Sequence, residues 1–534
     1  MVRLHDETMP KPSRTRAAAL TAAALLPALV AGCARGPVPE GQVGPVQPGP
    51  VQGGLSGQKL AWENCPPPSE AEGGGSAPAP LPDGTRWQCA TMKAPLNWND
   101  PSNGTIDIAL IRAKAGGAPS QRIGSLVFNF GGPGGSGVSS LPAFAPDYAT
   151  LRTRYDLVSF DPRGVGRSAG VKCKTDQQLD KFFQQDATPT TPAEQRTFLN
   201  NIKQFNSGCE QHSGRLLPYL RTTDTARDMD LMRQLLGDRK LYYFGISYGT
   251  ELGGVYAHLF PTHVGRAVFD AVVDPTQTPD QLSLGQARGF QLAFDNYARD
   301  CVARSAGCPV GRTVQDVQNR ITALLKELDR KPLPGAPSRQ LTRTAATNGI
   351  VQALYSKNFW PYLTEGLELA YMGDGRLLML LSDTLNGRNE DGRYSNLTAA
   401  NVAINCADEK PRYTTAEVRA KLPGFRAVSP LFGDLLAWSL LSCANWPVQG
   451  AAYHPDVSAP GAPPILVVGN TGDPATPYEG ARRMAIALGK GVGVQLTYKG
   501  QGHGAYNSKN VCVQNTVNRY LLDGKVPPNG TVCS

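Results

Sequence analysis

The strongest constraint on the fold is a series of short, continuous apolar runs separated by helical patterns. Ile106–Ile111, Ser125–Phe130, Tyr155–Phe160, Leu241–Phe244, Val264–Val273, Pro464–Val468 and Val494–Tyr498 are each brief and rich in β-branched or aromatic residues. Runs of that length without polar alternation read as strands buried on both faces, as in a parallel sheet. Helical patterns lie between several of them, such as 225–236, for which Asp224 is the expected N-cap. Strands alternating with helices imply a doubly wound, mostly parallel α/β sheet. From 276 to 462 the pattern turns helical, with amphipathic stretches at 284–299, 314–328, 359–372 and 431–441. This reads as a helical cap inserted ahead of the last strands, so the sheet domain is expected in two pieces, 58–275 and 463–534.

The first 57 residues do not fit that scheme. Lys11, Arg14 and Arg16 precede an apolar stretch, Ala17 to Val30, that closes on Leu29-Val30-Ala31-Gly32-Cys33. A basic segment, a short apolar segment and small residues before the cut describe a secretory signal peptide, here 1–32. Val-Ala-Gly-Cys resembles the lipobox of bacterial lipoproteins, and that resemblance implies lipidation of Cys33 as the mature N-terminus. Residues 33–57, rich in Gly, Pro, Val and Gln, then form a flexible tether. The expected location is the cell envelope, on the membrane through Cys33. Eleven cysteines are present, so ten remain beside Cys33. An even number in an exported chain, without any Cys-x-x-Cys pair or cluster of histidines, favours disulfides over metal or redox chemistry. Connectivity does not follow from sequence. Pairing between neighbours would join Cys65–Cys89, Cys173–Cys209, Cys301–Cys308, Cys406–Cys443 and Cys512–Cys533. The net charge of +9 comes from scattered residues with no basic run, which gives no nucleic-acid surface.

The chemistry concentrates at four glycine-rich turns, each after a strand. Gly245-Ile246-Ser247-Tyr248-Gly249 has the G-x-S-x-G pattern, with a strand before it and the helical run 250–259 after it. It resembles the nucleophile elbow of the α/β-hydrolases, with Ser247 as the exposed nucleophile. Asn129-Phe130-Gly131-Gly132-Pro133-Gly134-Gly135-Ser136-Gly137 follows an earlier strand. Glycines let backbone amides approach a developing oxyanion, and the fold's rule pairs an early-loop amide with the one after the nucleophile. Gly132 and Tyr248 are the candidates, with Gly131 as the alternative. A phosphate-binding loop would need a Gly-Lys-Ser/Thr ending, which does not follow.

The triad order on this fold is Ser, acid, His. Asp473 stands just past the strand of 464–468, and His503 sits in Gly502-His503-Gly504 after the next one. His503 is the only histidine beyond His454. A free serine hydroxyl is a weak nucleophile, so His503 would take its proton while Asp473 holds the imidazole. Asp408, Asp434 and Asp456 are rival acids, none of which so clearly ends a strand.

The motifs Phe130-Gly-Gly-Pro-Gly-Gly-Ser-Gly, Asp161-Pro-Arg-Gly-Val-Gly-Arg-Ser168, Gly-Ile-Ser-Tyr-Gly-Thr250 and Gly472-Asp473-Pro-Ala-Thr-Pro477 together resemble the secreted tripeptidyl aminopeptidases. These stand with the prolyl aminopeptidases among the α/β-hydrolase serine peptidases. The resemblance runs from about Trp62 to Cys533. It implies the α/β-hydrolase fold and release of short peptides from free N-termini, with peptides as substrates and no metal or organic cofactor. The prolyl enzymes usually carry His where this chain has Phe130, which points away from a strict proline preference. An α-ammonium entering a partly buried pocket needs a carboxylate. The relatives use cap acids for this, which here suggests Asp408 and Glu409. A carboxylesterase or lipase on the same triad is the alternative within enzymes. An inactive envelope lipoprotein on this scaffold is the alternative outside them, and intact Ser247, Asp473 and His503 argue against it.

Overall fold

The computed structural model describes residues 54–305 and 307–534. The signal peptide, Cys33 and all but the end of the tether lie outside the described residues. Ten strands form one sheet: β1 (Glu63–Asn64), β2 (Gln88–Pro95), β3 (Thr105–Ala113), β4 (Gly124–Asn129), β5 (Tyr155–Phe160), β6 (Leu241–Ile246), β7 (Val264–Asp270), β10 (Ile465–Gly472), β11 (Gly493–Gln501) and β12 (Thr531–Cys533). The other two, β8 (Leu333–Ala336) and β9 (Arg339–Leu341), make a small hairpin within the helical segment. The sheet order is β1-β2-β3-β5-β4-β6-β7-β10-β11-β12. The pairings from β1 to β5 through β2 and β3 are antiparallel, and all the others are parallel.

The apolar runs form central strands because both their faces are covered. In β4, Leu126 and Phe128 face one layer while Val127 faces the other. The same alternation places Phe244, Val268, Leu466 and Val468 with the first set, and Tyr243, Phe269 and Val467 with the second. Each fully buried side chain of this size contributes about 1.5–3 kcal/mol. The structure therefore has the α/β-hydrolase architecture expected from the sequence.

Some local details differ. The helix before the elbow runs Thr222–Leu235 and its N-cap position is Arg221, so Asp224 is not the cap. Asp224 sits one turn in, where an acid still complements the helix dipole, and accepts from Arg227 at 3.2 Å. The Thr222 side chain is turned to a tertiary partner instead. Helices Pro192–Ser213, Arg343–Leu354, Leu397–Asp408 and Thr415–Val428 also form. Within the segment 276–462, Phe290, Phe294, Leu325, Leu354 and Trp438 build a separate core. Helix Leu397–Asp408 instead buries Ala400, Ala403, Ile404 and Cys406 against the sheet domain.

Five disulfides join the neighbouring pairs: Cys65–Cys89, Cys173–Cys209, Cys301–Cys308, Cys406–Cys443 and Cys512–Cys533. Such a set fits an oxidising, exported environment. Among the described residues no helix is long and apolar enough to cross a membrane.

Candidate active site

Strand register brings three of the glycine-rich turns, those of Ser247, Asp473 and His503, to one end of the sheet. Ile246 pairs with Asp270, Asp270 with Val468, and Gly472 with Gln501. The residues just after β6, β10 and β11 therefore converge at the carboxyl ends of parallel strands, the usual position of sites in open α/β sheets.

Ser247 links β6 to helix Tyr248–Leu259 with φ 58° and ψ −126°. A non-glycine residue there is strained, a cost of about 1–3 kcal/mol that the surroundings must hold. The neighbours explain how. The Ser247 amide donates to the Asp270 carbonyl at 3.0 Å, and its own carbonyl accepts from the Thr250 amide and hydroxyl at 2.8 and 2.7 Å. A Cβ on Gly245 would lie 2.3 Å from the Gly249 carbonyl oxygen, and one on Gly249 would lie 2.5 Å from that of Asn129. The two elbow glycines are thus required by close backbone approach.

His503 Nδ1 lies 2.8 and 3.1 Å from the two carboxylate oxygens of Asp473, and both side chains are shielded from solvent. The amides of Ala475, Thr476 and Gly504 donate to the same carboxylate at 3.0, 2.8 and 3.3 Å. The Thr476 hydroxyl sits 3.3 Å from His503 Nδ1. Among the described residues, buried His503 Nε2 has no hydrogen-bond partner, Ser247 included. Bonds of this kind are often long before substrate binds.

The first glycine loop is held from both sides. The Asn129 side chain accepts the Gly131 amide at 3.0 Å, which occupies the alternative oxyanion donor. Among the described residues, the Gly132 and Tyr248 amides are engaged by no other group. Ser136 donates to Asp161 at 2.7 Å and the Val138 amide at 3.1 Å, fastening the loop to the start of Asp161–Ser168. Burial and the charge of Glu72 push the Asp161 carboxyl up to about 6. Arg163 of that motif is buried in an ion pair with Asp228 at 2.6 Å, so its part is structural. Phe130 packs in the core, stacked on Phe144 with ring centroids 5.3 Å apart.

The helical segment contributes to the same site. The Tyr355 carbonyl accepts the His503 amide at 2.7 Å, and its ring stands edge-on to the imidazole at 5.3 Å. Helix Pro279–Val302 lies on the acid turn so closely that a Cβ at Gly289 would come 2.3 Å from the Pro474 carbonyl oxygen. Asn401 donates to the Pro133 carbonyl at 3.1 Å.

Asp408 ends helix Leu397–Asp408 and accepts the Thr222 amide at 2.8 Å and its hydroxyl at 2.6 Å. The same hydroxyl is 2.5 Å from the Tyr248 phenol, so Asp408 is connected to the residue after Ser247. Desolvation pushes the Asp408 carboxyl up to about 7, against the Thr222 hydrogen bonds. Glu251, one helical turn beyond Ser247, is pushed up to about 8 by desolvation and by the charge of Asp408. Glu409 lies instead beside Arg412, which also donates to its carbonyl. Asp434 pairs with Arg426 and Asp456 lies by His258, both away from His503.

Sequence reading passed over Thr476, Glu251 and Asp270. Asp270 carried the clearest signal, because like Asp473 it is an acid at the end of an apolar run.

The family described as TAP-like protein matches residues 429–533, which contain both Asp473 and His503. Three similar proteins span most of the chain. Serine protease Hip1 of Mycobacterium tuberculosis is 36% identical over 458 residues, covering 83% of this chain and 87% of that one. Carboxylesterase B of the same organism is 38% identical over 455 residues, 84% and 86%. Tripeptidyl aminopeptidase of Streptomyces lividans is 32% identical over 459 residues, 84% and 83%.

Proposed function

Since this chain belongs to the TAP-like α/β-hydrolase serine peptidases, we propose that it is an exopeptidase releasing short peptides, tripeptides foremost, from free N-termini. The observation that carries the chemistry is the shielded His503–Asp473 pair at the same end of the sheet as the strained Ser247. In this reading Ser247 Oγ attacks the scissile carbonyl and His503 Nε2 takes its proton. Asp473 stabilises the imidazolium, and the Gly132 and Tyr248 amides receive the oxyanion. His503 then protonates the leaving amine, and water hydrolyses the acyl-enzyme.

Asp408 is the better placed of the two expected amine anchors, through its link to Tyr248. A charge-assisted bond to the α-ammonium would set the distance from chain end to Ser247. Asp408→Asn is expected to lower kcat/KM on free-amine peptides by about 10²-fold, as for a buried charge pair that loses a partner. Glu409→Gln should cost less, because Glu409 lies beside Arg412. Ester hydrolysis should barely change in either variant. Because the Asp408 carboxyl sits near 7, cleavage of free-amine peptides should also fall as pH drops through that value, where the anchor becomes neutral. An ester, which brings no ammonium, should escape that loss. Free-amine cleavage as fast in Asp408→Asn as in the wild type would remove Asp408 from the role.

The 38% identity to a protein named carboxylesterase B supports a second reading, an esterase on the same triad. Free and N-acetylated chromogenic peptides of one to three residues, compared with a short-chain ester, separate the two. Preference for the acetylated peptides or the ester would favour the esterase.

The chain is further proposed to be anchored by acylated Cys33. One acyl chain binds membranes only marginally, so stable anchoring needs the multiply acylated N-terminus of a lipoprotein. Mass spectrometry of the native protein should find Cys33 first and acylated. A different or unmodified N-terminus would refute the anchor.

A further inference from the structure

Asp270, the last residue of β7, is fully buried. Its carbonyl accepts the Ser247 amide at 3.0 Å. Its carboxylate accepts the Ala505 amide at 2.9 and 3.0 Å and the Tyr506 amide at 2.8 Å. Those amides lie two and three residues beyond His503. One residue therefore ties the elbow that carries Ser247 to the loop that carries His503.

Asp270 also faces charge. Burial pushes its carboxyl up to about 6; the Tyr506 and Ala505 amides oppose this, Asp473 adds to it, and His503 opposes it. From another side Tyr148 comes close, and burial keeps that phenol neutral. The Tyr506 phenol, held neutral by burial, donates to Asn518 instead. A carboxylate buried without a lysine or arginine partner is costly, and a strand end could be filled more cheaply by an apolar side chain. The groups it serves are two backbone amides and the nearby imidazole.

We infer that Asp270 is a positioning residue for the Ser247–His503 pair, fixing their separation through its carbonyl and carboxylate and supporting the imidazolium with its charge. This rests on the triad reading above and is independent of whether the substrate is a peptide or an ester. Asp270→Asn keeps the size and removes the charge, and it turns an amide donor toward backbone donors. A small misplacement of nucleophile and base costs about 10²-fold in rate. The second-order rate of Ser247 labelling by a fluorophosphonate, which brings no α-ammonium, should fall by about that factor. The sign of the pH effect follows from charge. Burial holds the Asp270 carboxyl near 6, so the carboxylate that receives the two amides is lost as pH falls through that value. In Asp270→Asn, which has nothing to titrate there, that acid limb should disappear. A merely structural part would lower the yield of reactive enzyme and leave the limb in place.

The wild type supplies a second check that needs no variant. The carboxylate must be ionised to hold the Ala505 and Tyr506 amides, so the labelling rate should fall as pH drops through about 6. A wild-type rate that stays level through pH 6, or an Asp270→Asn enzyme with the wild-type rate and limb, would overturn the assignment. Wild type that is not labelled at Ser247 at all would instead sink the triad reading itself.

Discussion

Ser247→Ala is expected to lower peptidase kcat by about 10⁶-fold, the scale seen when a triad nucleophile is removed alone. Stability should change little. The position demands φ 58° and ψ −126°, and alanine meets that demand no worse than serine. The hydrogen bonds that hold the turn come from backbone atoms of residue 247, so they survive the exchange. The variant should therefore keep the wild-type melting temperature while losing turnover and phosphonate labelling. Labelling that persisted elsewhere with activity intact would show that another residue is the nucleophile.

The second large effect is expected at Asp473, where the asparagine variant should lose about 10⁴-fold in kcat. The carboxylate takes two contacts from His503 Nδ1 and three from backbone amides. An asparagine can serve those donors with one oxygen only. Held by the Ala475 and Thr476 amides, its oxygen leaves an NH₂ group against the Gly504 amide and removes the charge that stabilises the imidazolium. Turned the other way, it faces NH₂ toward His503 Nδ1 and selects the tautomer whose Nε2 cannot accept a proton. Either orientation weakens the base without touching Ser247 or the oxyanion donors. Peptide turnover checks the magnitude, and a loss below about tenfold would point to a different acid.

Much of this architecture could be read from residue order. Apolar runs such as Tyr155–Phe160 gave β5 with its limits unchanged because a strand covered on both faces needs no polar alternation. β2 was missed because Gln88–Pro95 buries alternate residues from Ala90 to Ala94, with Thr91 and Lys93 exposed between them, and so forms no continuous apolar run. Helix Leu397–Asp408 was missed because its small residues serve close packing on the sheet domain rather than an amphipathic stripe. At the site, Ser247, Asp473 and His503 were legible since each stands in a glycine-rich turn that follows a strand. The choice of Gly132 over Gly131 was not, for it depends on where the Asn129 side chain turns. Nor was the link from Asp408 through Thr222 to Tyr248, because no spacing rule joins residues so far apart in the chain.

The contacts of Tyr355 with His503, of Gly289 with Pro474 and of Asn401 with Pro133 have a consequence for how such an enzyme can change. A lid that only covers a site can be traded between relatives to alter what is admitted. Here the helical segment also grips the His503 loop, the Asp473 turn and the glycine loop at Pro133, so in the proposed reading selectivity and turnover share the same scaffold. A chimera that grafts a relative's helical segment onto this sheet would therefore inherit new recognition together with misaligned catalysis. Repair would need matching changes at 133–134, 473–476 and 502–504, and divergence among such enzymes would have to proceed by paired steps on both sides of that seam.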